Sequence, residues 1–258
     1  MKLTYNLPKG LTYRPYLLEM IEENHTLIAG TTGAGKSVLE NAIIYALLCT
    51  RFPGQAESGR GCRLVLLDPK RVELRQYKKL PHTLWYADNM DDIEKVLYKV
   101  RILIDQRLEK MQKQGVRKSK ECPVYIFIDE LVDIVTSRKA KEIIKLINDC
   151  ISISRATNIF FCILTQAPNR KVLKPEIILN MNCRVALRCI NYIESRQIIG
   201  DDSATELPRH GVGIVQENLD RYKINIPFYS DEELSAIVLH WTKQHPIYNA
   251  LQRRKRIL

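Results

Sequence analysis

Three stretches of this chain carry residue types that could do phosphate chemistry. Gly30-Thr31-Thr32-Gly33-Ala34-Gly35-Lys36-Ser37 has the spacing G-x-x-x-x-G-K-S, a glycine-rich turn that points backbone N–H groups at phosphate oxygens. The lysine of such a loop reaches the β- and γ-phosphates, and the hydroxyl holds Mg²⁺. Lys36 and Ser37 are the candidates for those roles, and Val38 opens a helix-like stretch whose N-terminal dipole adds to the cradle. The implied cofactors are ATP and Mg²⁺.

Two apolar runs end in aspartate, at Leu67-Asp68 and Ile128-Asp129, and either acid could belong to the Mg²⁺ shell. Asp129 is the stronger candidate because Glu130 follows it. An adjacent pair lets one carboxylate orient the metal while the other polarises the attacking water. Asp68 is expected to shape the loop after its strand instead. A third apolar run enters Thr165-Gln166, where Gln166 could hydrogen-bond the γ-phosphate or the lytic water and report hydrolysis to the downstream chain. Each feature has a plainer reading. The loop could be a glycine turn with an accidental lysine, Asp129-Glu130 a helix N-cap, and Gln166 a solvated strand end. Their order along one chain favours the chemical reading, that of an ATPase.

These residues need elements to hold them. The run His25-Thr26-Leu27-Ile28-Ala29 reads as a buried strand before the loop, and residues 38–49 as a helix after it. Further strands are expected at 63–67, 124–128, 159–164 and 183–189. Ile93, Val96, Leu97, Val100, Leu103, Ile104 and Leu108 recur at helical spacing over residues 91–114, with Gly115 as the stop. Residues 139–154 read as a second amphipathic helix. Strands alternating with helices predict an α/β fold with a mostly parallel sheet and helices on both faces, with ligands beyond the carboxyl ends of the strands. Residues 211–216 and 221–226 predict a C-terminal antiparallel hairpin around a polar turn. Ser230 and Glu233 form a capping box that opens a last helix through Trp241.

At 258 residues and 45% hydrophobic content, the chain suits one large domain. Residues 1–24 are expected as a lead-in, 25–244 as the main domain and 245–258 as a basic tail. The longest apolar run, residues 42–49, is too short to span a membrane, and no leader pattern precedes it. Seven cysteines without a C-x-x-C spacing predict buried, reduced thiols and a cytoplasmic setting. The net charge of +11 favours a polyanionic partner, nucleic acid or an acidic membrane surface. Arg107, Lys110, Lys113, Arg117, Lys118 and Lys120 form one basic cluster, and Arg253-Arg254-Lys255-Arg256 a second.

The motifs also stand in a specific order. The phosphate loop is followed by Asp68-Pro69-Lys70-Arg71-Val72-Glu73-Leu74, Leu80-Pro81-His82, Ile128-Asp129-Glu130 and Ser154-Arg155-Ala156. Then come Leu164-Thr165-Gln166-Ala167-Pro168, Ser195-Arg196-Gln197-Ile198-Ile199 and Ser230-Asp231-Glu232-Glu233. Over residues 24–243 this set resembles the FtsK/SpoIIIE family of ring-shaped, DNA-translocating ATPases. The resemblance implies a RecA-like P-loop NTPase that assembles as a homo-hexamer around double-stranded DNA and moves it by ATP hydrolysis. It implies an arginine supplied to a neighbouring subunit's site, at Arg155 by motif position, with Arg196 as a second candidate. It places DNA contacts in the loop after Gln166, where this chain has Arg170, Lys171 and Lys174, suited to phosphates and uninformative about bases. Ala167 and Ile178 stand where the family usually has an arginine and a lysine, so those three cations are expected to substitute. The family's membrane segments, ring-forming domain and winged-helix domain are not in this sequence, and the expectation is a minimal motor of a mobile element or phage, or a lone domain of something larger. Two relatives of the reading remain open. One is a secretion ATPase that moves polypeptide, and the other a conjugative coupling protein that links DNA to a membrane-bound partner.

Overall fold

The computed structural model describes residues 12–54 and 61–243. Nine strands among them form one sheet in the order β2-β3-β5-β6-β1-β7-β8-β9, with β4 also on β3. The strands are β1 (Thr26–Ala29), β2 (Phe52–Pro53), β3 (Gly61–Leu67), β4 (Thr83–Ala87), β5 (Val124–Ile128), β6 (Ile159–Thr165), β7 (Cys183–Ala186), β8 (Val212–Glu217) and β9 (Asp220–Asn225). All pairs from β2 to β7 are parallel, and β7-β8 and β8-β9 are antiparallel. The predicted hairpin is therefore present, turning at Asn218-Leu219.

Apolar runs without polar alternation arise because both faces of the sheet are buried. Val124, Ile126 and Ile128 of β5 face one core, and Tyr125 and Phe127 face the other. The first core is closed by α3 (Met90–Gln114), α4 (Leu131–Val135), α5 (Ala140–Ser154), α6 (Pro175–Asn180) and α7 (Tyr192–Ile199). The second is closed by α1 (Tyr16–Glu19), α2 (Lys36–Thr50) and α8 (Asp231–Lys243). The capping box forms as expected, with Glu233 N–H donating to Ser230 Oγ (3.3 Å) and Ser230 N–H to Glu233 Oε2 (2.8 Å).

Three departures from the sequence reading have physical causes. The lead-in includes α1, and Leu17, Met20 and Ile21 are buried against α2, so residues 12–24 share the main core. The strand predicted over 183–189 stops at Ala186: Leu187 N–H still donates to Ala29 O (2.8 Å), but the Arg188 carbonyl turns to Thr31 N–H of the phosphate loop. Strand β4 is not among the expected strands: Leu84, Trp85 and Tyr86 are only half buried, so its apolar signal is weak. All seven cysteines are buried. No helix among the described residues is long and apolar enough to cross a membrane. The tail Arg253-Arg254-Lys255-Arg256 lies outside the described residues.

His25, at the amino end of β1, accepts a hydrogen bond from Phe161 N–H at Nδ1 (3.0 Å) and is 2% exposed. Burial, helped by the nearby Arg155 cation, holds its pKa down at about 4. The unfolded chain therefore binds a proton between pH 6.5 and 4 that the folded chain refuses. His25 by itself contributes a loss of about 3 kcal/mol as the pH drops through that window, opposed there by buried acids such as Asp129, whose raised pKa has the opposite sign. His25→Asn keeps an acceptor and removes the titration. From about pH 7.5 to about 4.5 the denaturation midpoint of the wild type should move downward relative to that of the variant, and a difference that stays constant with pH would refute the assignment.

Candidate functional site

The parallel order sets β1, β6, β5 and β3 side by side, so their carboxyl ends open on one place. Gly30 N–H reaches Thr165 O at the end of β6 (3.4 Å), and Asp129 N–H reaches Leu67 O at the end of β3 (3.2 Å). The chain reverses from β1 into α2 through Gly33 (φ 75°) and Gly35 (φ 102°), both in the left-handed region that glycine enters without strain. Gly30 is required for another reason: a Cβ there would stand 2.8 Å from Leu187 Cβ. Thr31 N–H donates to Arg188 O (2.9 Å) and Ala34 N–H to Thr31 O (3.1 Å), which fixes the loop.

A cavity of about 520 Å³ lies over this loop, lined by Thr32, Gly33, Gly35, Lys36, Ser37 and Val38 on one side. Lys70, Glu73, Asp129, Glu130 and Gln166 line the other, and His210 closes part of the rim. Lys36 Nζ donates to Gly30 O (2.9 Å) and Thr31 O (3.0 Å). Burial lowers its pKa, and Glu130 and Asp129 oppose that shift. The lysine is thus a partly desolvated cation, poised to exchange carbonyl partners for phosphate oxygens.

Glu130 is 2% exposed and held from three directions. Its Oε1 accepts from Val132 N–H (3.3 Å), which caps α4, and from Gln166 N–H (3.1 Å); Oε2 pairs with Lys70 Nζ (3.2 Å). Gln166 Oε1 in turn accepts from Thr32 Oγ1 of the phosphate loop (2.8 Å). Glu130 therefore caps a helix, as the plainer reading has it, and also lines the cavity beside the phosphate loop. Asp129 has its pKa raised to about 7, first by burial and then by Asp68 and Glu73. Such a crowd of acids suits a divalent cation, which would restore the ionised form. No three His, Cys, Asp or Glu side chains among the described residues cage a metal by themselves. Mg²⁺ would thus be shared between Ser37, Asp129 and substrate oxygens, as hard oxygen ligands allow.

Asp68 is absent from the cavity lining and does what the sequence suggested. Its carboxylate accepts from Val72 N–H and Leu74 N–H, both at 3.2 Å, and shapes the turn after β3. Arg155 is not brought to its own chain's site. It sits in the turn before β6, and a seven-residue strand, about 20 Å long, separates it from Gln166. Arg196 is engaged within its own subunit, paired with Asp202 (2.6 Å) and lying over the Tyr192 ring (5.1 Å). Arg170, Lys171 and Lys174 are exposed on the segment that continues from Gln166, anchored by buried Val172 and Leu173, and form no ion pair among the described residues.

Sequence reasoning gave no role to Lys70, Glu73, His210 or Glu40. Lys70 and Glu73 belong to one of the ordered motifs, but only the fold of the turn aims them at the phosphate loop. Glu40 did leave a signal, an acid inside the otherwise apolar helix behind Lys36. It is fully buried against the Asp129 carboxyl, and burial and then Asp129 raise its pKa well above the ordinary range.

A family model described as FtsK/SpoIIIE family matches residues 1–212. The chain belongs to the FtsK/SpoIIIE family. Its P-loop ATPase fold agrees with that membership. Among curated members of the family, the DNA translocase FtsK of Brucella melitensis is 27% identical across 93% of this chain and 34% of its own length. The FtsK of Staphylococcus aureus is 29% identical across 94% of this chain and 33% of its own. The chain thus spans about a third of these relatives. Among solved structures, the pCW3 conjugation coupling protein TcpA with ATPγS superposes with a TM-score of 0.73 at 21% identity, covering 97% of this chain and 75% of that one. The cytoplasmic domain of the Thermomonospora curvata type VII secretion ATPase EccC gives 0.70 at 19% identity, covering 87% and 28%. At such identities these structures speak for the fold alone.

Proposed function

We propose that this FtsK/SpoIIIE-family chain binds ATP and Mg²⁺ and couples hydrolysis to movement of double-stranded DNA, as a ring of copies in the cytoplasm. One observation carries the reading. Gln166, the residue directly after strand β6, touches both the phosphate loop at Thr32 and the base candidate Glu130, and the chain then runs on into Arg170, Lys171 and Lys174.

In this reading Gly30, Thr31, Thr32, Gly33, Ala34, Gly35 and Val38 form the cradle, and Lys36 holds the β/γ-phosphates. Ser37 and Asp129 hold Mg²⁺, which supplies charge neutralisation when bound. Glu130 takes the proton of the attacking water as the new O–P bond forms. The bond from the γ-phosphorus to the bridging oxygen breaks, with its electron pair leaving on ADP. Gln166 registers the change and transmits it to the three cations. Arg155 serves a neighbouring copy, since it lies at the far end of the sheet from its own phosphate loop. The hexamer, like a membrane-bound partner, is carried by family likeness.

The three cations favour DNA over a polypeptide cargo, because exposed, unpaired Arg and Lys recognise phosphates without reading sequence. Replacing Arg170, Lys171 and Lys174 by alanine should abolish stimulation of ATPase by duplex DNA, with nucleotide affinity as the folding control. The slope of log K against log salt should flatten by about 0.9 for each phosphate that is no longer neutralised. Full DNA stimulation in the triple variant would move the DNA path to the Arg117–Lys120 cluster or the tail. A wild-type ATPase indifferent to duplex and single strands would favour the polypeptide reading.

A further inference from the structure

We propose that Lys70 is a second catalytic cation: it leaves Glu130 for the γ-phosphate when a triphosphate enters, and so frees the base as it neutralises the reacting group. The proposal rests on the nucleotide reading above and adds a residue whose role distinguishes triphosphate from diphosphate.

The turn after β3 is rigid where Lys70 begins. Asp68 accepts from Val72 N–H and Leu74 N–H, its carbonyl accepts from Arg71 N–H (3.1 Å), and Arg71 itself holds φ 64°. Arg71 Nε further donates to Asp88 O (3.0 Å). The Lys70 backbone is therefore fixed on the rim, while its side chain, 37% exposed, has a flexible four-carbon stem with which to swing. It lines the same cavity as Lys36, Thr32 and Gln166.

Its present partner is the oxygen of Glu130 that no backbone amide holds. Oε1 is occupied by two N–H groups, so Oε2 is the atom free to accept a water proton, and Lys70 Nζ stands on it at 3.2 Å. A carboxylate oxygen bound to an ammonium is a poor base, and the pair must open before Glu130 can act. A terminal phosphate carries more charge than one carboxylate and offers three acceptor oxygens, so a triphosphate competes for the ammonium where a diphosphate does not reach. Neutralisation at the phosphate and release of the base then come from one side-chain movement.

The test compares Lys70→Met and Lys70→Arg with wild type and with Lys36→Ala, by equilibrium binding of MgADP and of a non-hydrolysable MgATP analogue, and by single-turnover hydrolysis. Lys70→Met should bind MgADP as wild type does, bind the triphosphate analogue about tenfold more weakly, and hydrolyse ATP more slowly. Lys70→Arg should recover most of the triphosphate preference. An equal loss for both nucleotides would make Lys70 a structural partner of Glu130, and faster hydrolysis in Lys70→Met would make it a latch alone; either overturns the proposal. Lys36→Ala should weaken both nucleotides. A wild-type chain that binds neither would overturn the nucleotide reading itself, and this inference with it.

Discussion

Replacing Glu130 by glutamine is expected to preserve MgATP binding and slow turnover by about 10²-fold or more. The glutamine carbonyl can still accept from Val132 N–H and Gln166 N–H, so the cap of α4 and the link to β6 survive. Its amide cannot take a proton from water, and it faces the Lys70 ammonium donor to donor. Single-turnover hydrolysis and equilibrium nucleotide binding separate the two effects. Asp68→Asn is the control for the choice of strand. The Asp68 carboxylate supports the turn that carries Lys70, so its replacement should act through that turn on folding and binding together. If Asp68→Asn instead bound ATP normally and failed only in hydrolysis, while Glu130→Gln turned over normally, the base would be wrongly placed.

Lys36→Ala is expected to abolish hydrolysis and weaken MgATP binding on the order of a hundredfold, about 3 kcal/mol, as the charge-assisted bonds to the β/γ-phosphates disappear. The P-loop should keep its shape, because Gly33, Gly35 and the Thr31–Arg188 bond set it without the lysine. Thermal denaturation with and without nucleotide reads both points. The melting temperature alone should be near wild type, and the rise on adding MgATP should vanish. Wild-type turnover in the variant would remove the phosphate-loop assignment.

The local pattern of the chain determined a great deal. The glycine-rich turn before Lys36 needs positive φ, and Gly33 and Gly35 supply it. Runs apolar at every position require a strand buried on both faces, and 124–128 and 159–164 obey. The helix cap at Glu130 and the capping box at Ser230 act within a few residues of themselves, which is why they were legible. The short strand β4, half buried and next to charged residues, was not.

What tertiary structure decided is who meets whom across the sheet. Parallel pairing of β1 with β6, and of β6 with β5, is what places Gln166 between the phosphate loop and Glu130. Only the turn after β3 aims Lys70 at Glu130, and only the packing of α2 brings Glu40 to Asp129. Arg155 lies at the other end of the same sheet, a separation its motif could not reveal. Local sequence sets φ, capping and the burial period. Contacts between residues dozens of positions apart depend on strand order and crossover, which are set by how all the apolar faces are buried together.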